Sequence, residues 1–216
     1  MKKKRVMQII AQQGYNIGLG AKKHFSTYDI VEKVNGWINF ISISLGILGL
    51  VFDFLSTNFF SSVILIMGIM ALYVSYYDTD KEEYNKIGKL LTDHFYKLKI
   101  LYLKIKDDVA YKEDDEYPNE KYETELNNII NEFSEISISK QIAFSNWYAH
   151  YKFFFECSNN STWVVDELKL RFWKDKIPAV FRLIIYVMII IVLVFSVYRI
   201  SSIITECIIK SICKWC

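Results

Sequence analysis

Four cysteines and three histidines are the side chains best equipped to hold a metal or act as nucleophiles, so their spacing is the first thing to test. Cys213 and Cys216 frame the motif CKWC, while Cys157 and Cys207 stand apart. A structural zinc site needs four donors, and neither a second pair nor a nearby histidine completes one. CKWC also does not open a helix after a strand, as a thioredoxin-like motif does. The cysteines therefore read as apolar fillers near a membrane. His24, His94 and His150 are scattered and read as structural. The glycine-rich stretch GYNIGLG (14–20) has no preceding strand to make it a phosphate-cradling loop, and it reads as a turn. There is no P-loop and no HExxH, so no enzyme activity, metal or other cofactor is expected.

Nucleic-acid binding is equally poorly supported. Residues 144–163 are rich in aromatics (Phe144, Trp147, Tyr148, Tyr151, Phe153, Phe154, Phe155), but only Lys152 among them is basic. Base-stacking surfaces interleave aromatics with several cations. A protein core or a lipid-headgroup contact is the better reading. The run Lys2 to Arg5 is too short to hold a polyanion and reads as a topology signal.

One charge stands out for its surroundings. Asp53 sits inside LGILGLVFDFLSTNFFSSVILIMG, where a carboxylate is costly unless it reaches water or a partner. The segment belongs to the first of three hydrophobic blocks, at residues 37–55, 59–77 and 179–198. Each approaches the roughly 20 residues that an α-helix needs to cross a bilayer. Ser56, Thr57 and Asn58 alone separate the first two, which predicts a hairpin. Trp37, Tyr73, Tyr76, Tyr77, Trp173 and Tyr198 sit at block ends, where amphipathic rings prefer headgroup depth.

The net charge of +2 hides strong segregation. Residues 1–36 carry seven basic and two acidic side chains, and residues 78–135 carry nine basic and sixteen acidic. Lysines before the first block predict a cytoplasmic N-terminus, with residues 78–178 on the same side. Arg199, Lys210 and Lys214 leave open the side of the C-terminus and whether the third block spans. The expected organisation is a basic amphipathic segment at 1–36, a transmembrane hairpin at 37–77, a cytoplasmic helical region at 78–178, a hydrophobic helix at 179–198 and a tail at 199–216. The fold class is thus an all-α membrane protein with an N-terminal helical hairpin, long cytoplasmic helices and a third membrane helix.

Apolar residues at steps of three and four predict those long helices. Tyr84, Ile87, Leu90, Leu91, Phe95, Leu98, Leu101, Tyr102 and Ile105 form one stripe in a helix over 78–115. That helix runs out at the acidic cluster before Pro118. Leu126, Ile129, Ile130, Phe133 and Ile136 form a second stripe in a helix from about Lys121. Within the hairpin, Ser42, Gly46, Gly49 and Asp53 fall on one helical face, and Ser61, Gly68, Ala71 and Ser75 on another. Small residues let backbones approach closely in lipid, so these eight are the candidate positions for packing or for lining a pore. Packing within the hairpin and packing between subunits both fit. For Asp53, contact with headgroup water and a carboxylate ring in an oligomer both fit.

The sequence YNIGLGAKKHFSTYDIVEKVNGWINFISISLGILGL (15–50), a second membrane helix and a long charged helix together resemble the SLATT domains. These are bacterial two-transmembrane effector domains associated with nucleotide-second-messenger synthases and SLOG sensors. The resemblance covers nearly the whole chain and is most specific over 20–37. The third hydrophobic block is similar to the arrangement of the fifth such family. The resemblance implies a role in antiphage defence at the bacterial inner membrane: a homo-oligomer that forms a pore or disrupts the bilayer. A nucleotide second messenger, or a partner synthase or sensor, would trigger it. No catalytic residues belong to the family. The alternative is a membrane-anchored scaffold that recruits a partner through its helical region.

Overall fold

The computed structural model describes residues 1–53 and 58–213, the side chains of residues 121 and 200–213 excepted. The chain forms two units, residues 1–170 and the part from 171 onward.

The first unit is built on helix α1 (Lys3–Gly49), α2 (Asn58–Ser75), α3 (Lys81–Lys106), α4 (Glu123–Ile136), α5 (Ser145–Tyr151) and α6 (Ser158–Glu167), with a single π-type turn at Lys152–Glu156. Among the described residues no strand forms, and one isolated antiparallel bridge pairs Lys2 with Glu116. Helix α1 crosses GYNIGLG without a break, so the expected turn there is corrected. Glycine in a helix interior costs up to about 1 kcal/mol relative to alanine, and close packing explains its use here. A Cβ at position 14 would lie 2.4 Å from the Trp163 ring, and one at position 18 would lie 2.7 Å from Phe153 and 2.8 Å from Phe95. The glycines are sockets for aromatic rings from distant parts of the chain.

Helices α1 and α3 pack antiparallel and supply the main core: Val6, Ile10 and Ile17 against Leu91, Leu98, Leu101 and Ile105. The α3 stripe buries as its spacing predicts, except that Leu90 remains 38% exposed. Helix α3 ends at Lys106, short of the expected acidic cluster, because another residue closes it. The buried Lys3 ammonium donates to the carbonyl oxygens of Lys106 (3.1 Å), Asp108 (2.8 Å) and Tyr111 (3.1 Å). In return, the first amides of α1 find carbonyls in the acidic loop: Lys3 N–H donates to Asp115 O and Lys4 N–H to Glu113 O. A helix start and a helix end thus satisfy each other's orphan groups. Lys2 and Lys4 pair with Asp114 and Glu113. The basic N-terminus therefore serves internal structure, where the sequence suggested only a topology signal.

A smaller cluster of Val31, Val74, Tyr77, Tyr84 and Ile142 forms a neck between the helical body and the hairpin. Beyond it, burial nearly ceases. In α2 only Val74 is buried, and α2 is about 27 Å long at 1.5 Å per residue. The apolar end of α1 is shorter than expected. Helical geometry stops at Gly49, where the amides of Leu50, Val51 and Phe52 fold back onto the carbonyls of Ile47 and Leu48. The stretch 37–49 covers about 20 Å of the roughly 30 Å hydrocarbon core.

In the second unit, a π-type turn (Phe172–Lys176) leads into α7 (Ala179–Cys213). The Trp173 indole donates to the Tyr186 hydroxyl at 2.9 Å. Helix α7 continues past Tyr198, so the expected tail begins as an extension of the helix. Among the described residues, Asn58–Ser75 and Ala179–Arg199 are the two helices long and apolar enough to cross a membrane. Unburied apolar helices of this length need lipid or other helices around them. The chain is an all-α membrane protein.

Candidate membrane-coupling site

In the hairpin, the shielded positions are Ile38, Ser42, Ser44, Leu45 and Gly49 on α1 and Phe60, Val63, Ile64, Met67, Ala71 and Val74 on α2. Apart from Ser44, both sets fall at steps of three and four, so each is one helical face, and the two faces meet. This divides the eight candidate residues. Ser42, Gly49 and Ala71 lie half-buried within the hairpin. Gly46, Ser61, Gly68 and Ser75 are exposed. A Cβ at Gly46 or Gly68 would meet nothing within 4 Å, so among the described residues of the first unit neither glycine serves packing. Ser75 accepts from the Asn35 amide at 3.5 Å, which sets these two residues level across the hairpin. Asp53 is exposed and follows the end of α1, so it does not continue the helical face of Ser42, Gly46 and Gly49. The hairpin tip at 54–57 lies outside the described residues.

The neck is tied by residues 137–144, a segment of which sequence reasoning singled out only Phe144. Tyr84 Oη donates to Lys140 O (2.7 Å), Tyr77 Oη to Gln141 O (3.5 Å), and Ala143 N–H to Tyr73 Oη (3.1 Å). Thr27 donates to the Gln141 side chain, which donates back to Ile138 O (2.8 Å). The Lys140 ammonium sits 3.7 Å from the centre of the Tyr76 ring, a cation–π contact. The only advance signal was the tyrosine cluster at 73–77, which read as a membrane-interface belt and turns out also to grip this segment.

His24 anchors the same segment. Its Nε2 accepts from Ile138 N–H at 3.2 Å, so Nδ1 carries the proton and donates to Gly20 O at 2.8 Å. Burial holds His24 below the ordinary imidazole value, with the Gly20 bond opposing and Lys23 reinforcing the shift. Burial likewise lowers His94 and His150. Glu132 Oε2 approaches His94 Nε2 at 3.0 Å, but the contact is not aligned as a hydrogen bond, and among the described residues neither ring nitrogen has a hydrogen-bond partner. Water around the half-exposed carboxylate weakens its pull, so burial prevails.

The aromatic stretch divides between core and surface. Phe153, Phe154 and Trp163 are buried, while Phe144, Tyr151 and Phe155 are exposed. Lys152 is buried, pairs with Asp29, and lies 4.5 Å from the Tyr148 ring centre. Asp29 also pairs with Lys33 at 3.5 Å. Cys157 accepts from the Lys22 ammonium at 3.3 Å. Of CKWC, residues 214–216 and the Cys213 side chain lie outside the described residues. At the far end of the body, a cleft of about 560 Å³ is lined by Arg5, Gln8, Gln12, Glu113, Asp166 and Lys169, with charges of both signs.

No curated protein and no solved structure matches this chain. The family model that matches is the SMODS and SLOG-associating 2TM effector domain 6, over residues 1–185, which corrects the expectation of the fifth family to the sixth. The match ends early in α7 and covers most of the chain, and the protein belongs to the SMODS and SLOG-associating two-transmembrane effectors.

Proposed function

We propose that this membrane effector acts in bacterial antiphage defence by assembling into a homo-oligomer whose hairpins form a pore in, or disrupt, the inner membrane. The observation that carries the reading is the outward-facing small residues of the hairpin. Gly46 and Gly68 leave open space within the described part of the first unit, and in lipid such surfaces favour close helix–helix approach. In this reading the two membrane helices of the family's description are the apolar end of α1 and α2, which the end of the match at residue 185 favours over α7. No Lys or Arg occurs in 37–77, whereas Lys33 precedes it and Lys81 follows it. The positive-inside rule then sets the N-terminus and the helical body in the cytoplasm. Asp53, at the opposite end, would form a carboxylate ring at the outer mouth of an oligomer, and such rings favour cations. The trigger in this reading is a partner synthase or sensor, or a nucleotide messenger, for which the cleft beside Arg5 and Lys169 has room.

Dye release from liposomes carrying the full chain tests the proposal. Release should fall on Gly46→Leu or Gly68→Leu with the fold retained, and Asp53→Asn should reduce cation preference in bilayer recordings. Background release with and without candidate nucleotides and partner proteins would rule the pore out. One observation favours a scaffold as the second reading. Tyr96, Ile100 and Leu103 are exposed at steps of four and three on α3, a ready docking stripe. A stoichiometric partner in pull-downs, without permeability change, would establish it.

A further inference from the structure

We propose that the loop 137–144, with Trp147 at the start of α5, is a third membrane contact, with Phe144 seated in the lipid headgroup region beside the hairpin. The inference goes beyond the pore reading and does not depend on it.

Phe144 adopts a left-handed backbone (φ 67°) and is 68% exposed. A bulky residue there is strained by about 1–2 kcal/mol, and exposing its ring to water forfeits burial as well. The strain is imposed from both sides. Buried Ile142 is held in the neck cluster, and Phe144 O accepts the Tyr148 amide at the start of α5. Between these anchors the chain can only turn the ring outward.

What it turns toward follows from the level of the loop. Asn35 and Ser75 are opposite one another across the hairpin. Trp37 and Tyr73 each lie two residues further along toward the apolar end, about 3 Å at 1.5 Å per residue. Side chains on a helix lean toward its N-terminus, which for Tyr73 is the apolar direction. The Tyr73 hydroxyl accepts the amide of Ala143, the residue just before Phe144. Tyr73 (46% exposed) and Phe144 therefore lie side by side at the membrane end of the body, next to the turn of α1 that carries Trp37 (63% exposed). Trp147 packs edge-on against Phe144, with ring centres 5.5 Å apart. Lys33 and Lys140 lie on the body side of this ring, where anionic headgroups would meet them. Aromatics backed by lysines are the composition of an interfacial belt, and Asn58–Ser75 is one of the two helices apolar enough to span. A bilayer around α2 extends over the loop, and it supplies the apolar surroundings that the strained Phe144 lacks.

The test places p-benzoylphenylalanine at position 144 of the full chain, reconstituted in nanodiscs that contain anionic lipid. The exposed ring leaves room for the larger side chain. Leu65, exposed in the middle of α2, is the lipid-facing control. Val109, just past the far end of α3 and 98% exposed, is the aqueous one. After irradiation, mass spectrometry should find lipid adducts at 144 comparable to those at 65, with few at 109. Adducts at 144 as scarce as at 109 would overturn the proposal. So would cross-links from 144 to a second copy in place of lipid.

Discussion

His24 works at neutral pH because its two nitrogens do opposite jobs: one donates to Gly20, and the other accepts from Ile138. Protonation would set two donors face to face and release the loop that ties the neck. The three imidazoles, His24 and His94 buried and His150 half-buried, are all held below the ordinary value of 6.5. The neutral form therefore belongs to the fold, and the unfolded chain binds protons first as pH falls. Stability is complete above 6.5 and is lost progressively below it. Thermal melts of the purified protein should show this acid loss. His94→Leu should flatten it without lowering the melting point at neutral pH, since that ring gives up no hydrogen bond. His24→Leu should destabilise at all pH values, because Ile138 loses its acceptor. Gly18→Ala should cost about 1–3 kcal/mol by overpacking, read from denaturant or heat. Gly46→Ala, with open space around it, should cost nothing. These roles were not legible in the sequence. GYNIGLG showed glycines, but nothing local says that Phe95, Phe153 and Trp163 come to rest on them.

The apolar stripes of α3 and α4 were legible because helical spacing is a local property: all but Leu90 of the α3 positions bury, and on α4 Leu126 and Ile129 bury while Ile130, Phe133 and Ile136 are half-buried. Helix ends were not legible, since distant residues make them. The end of α3 is closed by Lys3, and the start of α1 is closed by the acidic loop that follows α3. Lys3→Met should leave three carbonyls without a buried donor and cost about 1.5–3 kcal/mol, the range for hydrogen bonds to charged groups. Chemical denaturation checks this, and protease cleavage near 106–111 should rise in parallel. Lys2→Met should change little, because its pair with Asp114 is exposed. The termination of α1 at Gly49 was hidden for another reason. Apolarity continues unbroken into Phe52, whereas the backbone turns back through tight local bonds.

At the scale of the molecule, membrane character and the hairpin were plain from the hydrophobic blocks. The partition of small residues between inward and outward faces needed the structure. Helices drawn from sequence have a period but no register toward a partner, so Ser42 and Gly46 looked equivalent. Of the segment 137–144 the sequence showed only Phe144, as part of an aromatic stretch, because the segment's importance lies in touching Tyr73, Tyr77 and Tyr84, all far away in sequence.

One helix, α1, runs unbroken from the acidic loop at one end of the body into the membrane-facing hairpin. At 1.5 Å per residue its 47 residues make a rod about 70 Å long. Mechanically it is a lever. A rotation of only about 5° about the end held by Lys3 would carry Gly49 sideways by about 6 Å, comparable to one helical turn. Among the described residues α1 has no break over that length, so a displacement at its first turn would be passed along to the hairpin rather than absorbed within the helix.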